Sequence, residues 1–242
     1  MHPLQGGVAV ITGAASGFGL EASRIAARLG MRIVMAGVQA DALELAAHEV
    51  GELGGEGLPH RLAIRQAAEG EALAEATFAR FGTPNFVFNN AGVGAGGLIW
   101  EHTVRDWEWV LGVNVMGVAH GVRVFTPAML AAAKADPSWR GHIVNTASMA
   151  GLLNAPNMGV YNVSKHAVVA LSETLYQDLS LVTDQPVAVV VMVAVPLTVT
   201  SSVPAPPSIW SSPAPASMLS SPPAASIVSA KAVPVIALAA PL

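Results

Sequence analysis

The 242-residue chain has no cysteine. That excludes a disulfide framework and any thiolate metal site, no metal site is expected, and a cytoplasmic location is compatible with the absence. Charge is scarce as well: Asp, Glu, Lys and Arg make up 12% of the residues, about half the ~25% usual for globular proteins. With a formal net charge of -4 there is no basic field to attract phosphate backbones, so nucleic acid is not an expected partner. Long hydrophobic runs are missing too, in spite of a mean hydropathy of +0.52. The run from Val187 to Val195 stops at Pro196; it is about half the ~20 residues a spanning helix needs, and its valines suit a strand buried on both faces. The opening MHPLQGG has no basic stretch followed by an apolar core, so neither a signal peptide nor a membrane partner is expected. No internal repeat divides the chain, and its length suits one domain around one substantial core.

What is present is a sustained alternation of strand and helix patterns. Val8 to Thr12 is a β-branched run, followed by Gly13-Ala14-Ala15-Ser16-Gly17-Phe18-Gly19 and a helical pattern at Leu20, Ile25, Ala26 and Leu29. Glycines in such a turn let backbone approach a phosphate, and the helix N-terminus supplies free N–H groups and positive dipole. The spacing is Gly-x3-Gly-x-Gly, and glycines in a strand-to-helix turn also serve tight packing alone. Strand patterns recur at Arg32 to Ala36, Leu58 to Ile64, Asn85 to Asn89, His142 to Ala147 and Val187 to Val195. Helical ones lie between them at Asp41 to Leu53, Glu69 to Phe81, about Val104 to Ala133, and from Tyr161 to about Val182. The alternation predicts an α/β fold with a doubly wound parallel sheet. Residues 1–195 would form its core. Residues 196–226 are crowded with Pro, Ser and Ala, which disfavours regular helix and favours a loop or lid, and Val233 to Leu238 could add a last strand weakened by Pro234.

Three places stand out chemically. Asn89-Asn90-Ala91-Gly92 puts small residues and a side-chain amide at a strand's C-terminal edge, where open α/β sheets bind ligands, although Asn and Gly also build ordinary left-handed turns. Asn114 interrupts an apolar helical stripe of Trp107, Val110, Leu111, Val115, Val118 and Val122, where its propensity is unfavourable. Tyr161 and Lys165 are four positions apart in a helical pattern, so their side chains share a face, roughly 5–6 Å apart at Cβ. An ammonium there favours phenolate and lowers the tyrosine pKa from ~10 toward working pH, the requirement for a general acid/base; the same pair also suits an exposed contact on a plain amphipathic helix. Ser148, at the end of the fifth strand, can converge on Tyr161. It has no G-x-S-x-G elbow around it and no obvious base carboxylate, which makes hydrolase chemistry the weaker idea.

Taken together and in this order, Thr12-Gly-Ala-Ala-Ser-Gly-Phe-Gly19, Asn89-Asn-Ala-Gly92, Asn114, Ser148 and Tyr161-x3-Lys165 resemble the short-chain dehydrogenase/reductase family over residues 5 to about 195. The resemblance implies a Rossmann-type sheet that binds NAD or NADP, and hydride exchange with a secondary alcohol or ketone. Tyr161 would be the acid/base, Lys165 would lower its pKa and hold the nicotinamide ribose, Ser148 would polarise the substrate oxygen, and Asn114 would help relay protons. Gly13, Ser16, Gly17, Phe18, Gly19, Asn90, Ala91, Gly92, Tyr161, Lys165 and Val195 would touch the cofactor. Residues 196–242 would stand where the family places its substrate lid and C-terminal segment. A homodimer or homotetramer through the Asn114 and Tyr161 helices is implied too. Relatives that prefer NAD usually carry an acid where this chain has Gly37, and NADP-preferring ones a basic residue near it, where this chain has Val38, Gln39 and Ala15; the acid common after the third strand is Ala63 here. The reading leans to NAD only slightly. Met149, Leu152, Leu153 and Met158 suggest a substrate with an apolar body. The altered adenosine contacts also leave room for a non-catalytic NAD(P)-binding sensor of the same fold.

Overall fold

The computed structural model describes residues 4–182, 187–195 and 235–239. Its sheet contains β1 (Val8–Thr12), β2 (Arg32–Gly37), β3 (Glu56–Arg61), β4 (Phe86–Asn89), β5 (Gly141–Thr146), β6 (Val187–Val195) and β7 (Val235–Ala239). They stand in the order β3-β2-β1-β4-β5-β6-β7, all pairs parallel. The chain winds outward from β1 through β2 to one edge, then returns and winds outward through β4 to the other. Such a reversal leaves a crevice at the C-terminal strand ends, here between Thr12 and Asn89. This is the doubly wound parallel sheet expected from the alternation, and the Rossmann-type sheet that the resemblance implies.

The helices are α1 (Gly17–Arg28), α2 (Ala40–Glu52), α3 (Ala67–Phe81), α4 (Val104–Leu111), α5 (Gly117–Ala135) and α6 (Gly159–Val182). They cover both faces of the sheet, which is why its central strands are apolar throughout. Val8 and Val10 of β1 and Val34 of β2 pack with Leu73, Phe125, Met129 and Leu179 of α3, α5 and α6. The alternate residues Ala9, Ile11, Ile33 and Met35 pack with Ala26, Leu43, Ala46 and Val50 of α1 and α2. Period-two alternation thus sorts the strand residues between two cores instead of between core and water.

Three elements differ from expectation. β3 pairs two residues earlier than the apolar run Leu58 to Ile64, matching Arg32 to Glu56 through Gly37 to Arg61. As an edge strand it tolerates Pro59 inside it, while Leu62 and Ile64 are buried where the chain turns under the sheet. The helix expected over 104–133 does run from Val104 to Ala135, but Gly112–Met116 forms a π turn that joins α4 to α5. By length and composition this run could cross a membrane, whereas Val118, Phe125 and Met129 along it pack among sheet residues, as a core helix does. β7 lies parallel to β6 from Val235, just beyond Pro234. The Pro/Ser/Ala-rich segment 196–226 falls outside the described residues.

Beneath the sheet a buried polar chain joins β4, β5 and α6. Asn89 Nδ2 donates to Asn145 Oδ1 at 2.9 Å, Asn145 Nδ2 to Ser172 Oγ at 2.9 Å, and Ser172 Oγ to the Val168 carbonyl at 2.7 Å. Gly121 of α5 lies directly on it, so that a methyl group there would overlap Asn89 Oδ1. Gly121→Ala is therefore expected to lower stability by about 1–3 kcal/mol, as overpacking does; a urea titration should show a lower midpoint at an unchanged slope.

Candidate active site

The C-terminal ends of β1, β4 and β5 are tied to one another before any ligand is considered. Thr12 Oγ1 accepts from the backbone N–H of Asn90 and Ala91 at 2.9 and 3.0 Å. Asn90 Nδ2 returns a bond to the Thr12 carbonyl at 3.1 Å, and Asn90 Oδ1 accepts from Thr146 Oγ1 at 3.2 Å. The Asn89-Asn90 pair therefore divides its work: Asn89 serves the buried polar chain, and Asn90 spans three strand ends.

Between β1 and α1 the chain makes its glycine turn. α1 begins at Gly17, and its cap residue Ser16 makes no side-chain hydrogen bond to the first turn. Gly19 faces the turn so closely that a methyl group on it would overlap the Gly13 carbonyl oxygen. This is a cradle of bare backbone beside a helix N-terminus, and it fits a pyrophosphate. Phe18 is exposed above it and lines the same recess as Asn90, Gly92 and Tyr161.

That recess, about 350 Å³, is also lined by Val93, Gly94, Thr146, Ala147, Ser148 and Lys165. The titratable groups among its lining residues are Tyr161 and Lys165. Lys165 Nζ lies 5.5 Å from the centre of the Tyr161 ring, and it donates to the Thr146 carbonyl at 2.7 Å. Lys165 is 3% exposed, and burial disfavours its cation, pushing its pKa down to about 8. Ser148 lines the same wall, with its hydroxyl accepting from Ala150 N–H at 3.2 Å. Tyr161 is half-buried, next to Gly94.

Asn114 sits at the middle of the π turn, 1% exposed. Its Oδ1 accepts from Val93 N–H at 2.8 Å, and its Nδ2 donates to the Val93 carbonyl and to Ser164 Oγ, both at 2.9 Å. Ser164 in turn donates to the Tyr161 carbonyl at 2.7 Å. The amide thus joins the segment after β4 to the helix carrying Tyr161 and Lys165. Asn114, Ser148, Tyr161 and Lys165 are brought into one neighbourhood, as are Gly13, Ser16, Gly17, Phe18, Gly19, Asn90, Ala91 and Gly92 at the crevice. Val195 ends β6, where its backbone pairs with Ala239.

Two contributors escape sequence reasoning. Thr146 holds Lys165 and Asn90 through two different atoms, and Ser164 receives Asn114; both are small hydroxyl residues without periodicity. Ser164 had one usable signal, a polar residue on the buried side of a helix between Tyr161 and Lys165. His120, on α5, is buried, and Trp100 is exposed.

A family model described as short chain dehydrogenase matches residues 7–205. A short chain dehydrogenase/reductase from Burkholderia phymatum, solved in complex with NAD, is 49% identical and superposes with a TM-score of 0.75 over 81% of this chain and 68% of its own. A metagenomic short-chain oxidoreductase solved with NADP is 30% identical, with a TM-score of 0.73 over 81% of this chain and 85% of its own. The cyclohexanol dehydrogenase of Acinetobacter sp. is 32% identical over 167 residues, 69% of this chain and 64% of its own length. The chain spans between 57% and 64% of the length of three curated relatives it matches.

Proposed function

Because the chain belongs to the short chain dehydrogenase family, we propose that it transfers hydride between NAD(P) and a secondary alcohol or ketone, with Tyr161 as the acid/base. The observation that carries this reading is the recess in which Tyr161 and Lys165 are the titratable lining groups, with Ser148 beside them. The nicotinamide, when bound, supplies the hydride acceptor or donor. In the oxidative direction the alcohol carbon loses hydride and its hydroxyl proton passes to Tyr161; in the reductive direction Tyr161 returns the proton as the carbonyl carbon takes hydride. Ser148 donates a hydrogen bond to the substrate oxygen, and Lys165 stands behind the phenol and binds the nicotinamide ribose.

Asn114 has its amide committed to Val93 and Ser164, so a water-mediated relay past it would use its backbone carbonyl. The glycine turn and Asn90, Ala91 and Gly92 hold the dinucleotide along the crevice, with Val195 at the nicotinamide end. Residues 1–195 act as the dinucleotide-binding and catalytic core, and 196–242 as the segment covering the substrate. Leu152, Leu153 and Met158 are exposed, and the Met158 backbone forms a parallel bridge with Gly97. These side chains suit a substrate with an apolar body. Val163 and Met116, exposed on α6 and the π turn, offer surface for a homodimer or homotetramer, and a cytoplasmic setting completes the reading.

The test is the absorbance of the reduced nicotinamide, followed with NAD(H) and NADP(H) across a panel of secondary alcohols and ketones. Turnover of one pair is the expected result. Calorimetric binding of the dinucleotide with no turnover across the panel would favour a sensor instead.

A further inference from the structure

Ser148 and Tyr161 are joined by a stretch of chain that has few holds of its own. After Ser148 comes the short helical turn Met149–Gly151, and residues 152–158 then run exposed to the start of α6 at Gly159. The near end is fastened: Gly151 N–H donates to the Ser148 carbonyl at 2.9 Å, and Leu153 N–H to that of Met149 at 2.8 Å. Gly151 is also seated on α6, where a methyl group on it would come within 2.7 Å of the Lys165 carbonyl oxygen. The far end is fastened too, with Asn157 in the left-handed region at φ 59° and its carbonyl accepting from Gly97 N–H at 2.9 Å.

Between these ends, over 154–156, the one hold among the described residues is the side chain of Asn162, whose Nδ2 donates to the Ala155 carbonyl at 2.8 Å. Asn162 follows Tyr161 directly and is 6% exposed. It lies about one turn of α6 before Lys165, so the loop rides on two points of the same helix. Its Oδ1 is buried with no hydrogen-bond partner among the described residues, and an orphaned buried acceptor costs stability. An apolar side chain of similar size would fill the space without that cost. What distinguishes asparagine here is the donor it gives to the loop.

The dehydrogenase reading asks one substrate oxygen to meet both the Ser148 hydroxyl and the Tyr161 phenol, so a small misplacement of either group is felt in the rate. Resting on that reading, we propose that Asn162 is a positioning residue: by fixing the middle of the loop to α6, it sets where Ser148 stands relative to Tyr161. Asn162 is not among the residues lining the recess, and it acts through the loop. The path ends at Ser148 itself, whose hydroxyl and carbonyl both accept from the turn that the loop continues.

Steady-state kinetics at saturating dinucleotide, with a substrate to which the parent responds, separate this role from a structural one. Asn162→Ala is expected to lower kcat/KM about tenfold, part of the 10²-fold that a misplacement of about 1 Å costs, with a dinucleotide dissociation constant within about twofold of the parent's by reduced-nicotinamide fluorescence. Ser148→Ala is expected to lower kcat/KM by roughly 10²-fold. The double variant should be no slower than Ser148→Ala alone, because the asparagine acts through the serine. Asn162→Leu, which keeps the volume and withholds the donor, should repeat the alanine result. Losses that multiply in the double variant, an Asn162→Ala variant as fast as the parent, or a dinucleotide affinity that falls in step with the rate each overturn the inference and leave the dehydrogenase reading standing. So does loss of the folded state in both Asn162 variants, read by circular dichroism. A parent without turnover on any alcohol or ketone overturns the two together.

Discussion

Tyr161→Phe is expected to reduce turnover by roughly three orders of magnitude, within the 10²–10⁴-fold that positioned acid/base groups contribute. The substitution removes one oxygen and keeps the ring, so the half-buried packing beside Gly94 survives. Among the described residues no alternative acid or base lines the recess except Lys165, and its Nζ is held on the Thr146 carbonyl. The variant should therefore keep cofactor affinity, read by calorimetry, while steady-state rates with a responsive alcohol collapse. Rates equal to the parent's would remove Tyr161 from the proton-transfer step.

Lys165→Met should move activity and stability in opposite directions. Turnover should fall by about 10²-fold or more as the acid/base loses its neighbouring charge. The folded protein, however, carries a buried cation whose pKa is pushed from near 10.5 to about 8. Between those values the unfolded chain holds a proton that the folded one has released, so stability rises with pH across this window. Below about pH 8 the cost is fully present, and on the scale of 1.36 kcal/mol per pH unit it is roughly 3 kcal/mol. Methionine removes that cost but leaves the Thr146 carbonyl without its donor, a loss of about 1–3 kcal/mol. The net gain at pH 7 is accordingly small, and the informative quantity is the slope. The variant's advantage over the parent should shrink by roughly 3 kcal/mol between pH 7 and pH 10.5 in denaturant titrations. Parallel pH profiles would mean that Lys165 is not a buried cation.

How much of this was readable in advance depended on what each residue had to satisfy. β1 was legible because burial on both faces leaves five apolar or β-branched residues in a row. β3 was placed late because its apolar signal, Leu62 and Ile64, comes from residues that wall the core after the strand has ended, while the strand itself is an edge with Pro59 in it. The proximity of Tyr161 to Lys165 was legible because the two lie within one helical turn, and the burial of Asn114 because it is out of place in an apolar stripe. Thr146 was not, since a single strand-end hydroxyl leaves no periodic trace, and Ser164 offered only its place on the buried side of the helix. At the end of β2 and after β3 the sequence showed only the small residues Gly37 and Ala63. It could not reveal that Arg65 rests on Gly112, because the two are brought together only when the segment after β3 packs on the π turn.

That π turn also binds chemistry to architecture. Each residue of a helix carries the next about 100° around the axis, so the five-residue turn Gly112–Met116 sets the phase of everything after it. Deleting one residue to restore ordinary helix would shift Asn114 from its bonds to Val93 and Ser164. It would also turn the whole of α5, swinging Gly121 away from Asn89 and Phe125 and Met129 out of the core. Substitutions can therefore explore the rim of the recess one at a time, but the length of this segment can change only if catalytic positioning and core packing are rebuilt in the same step.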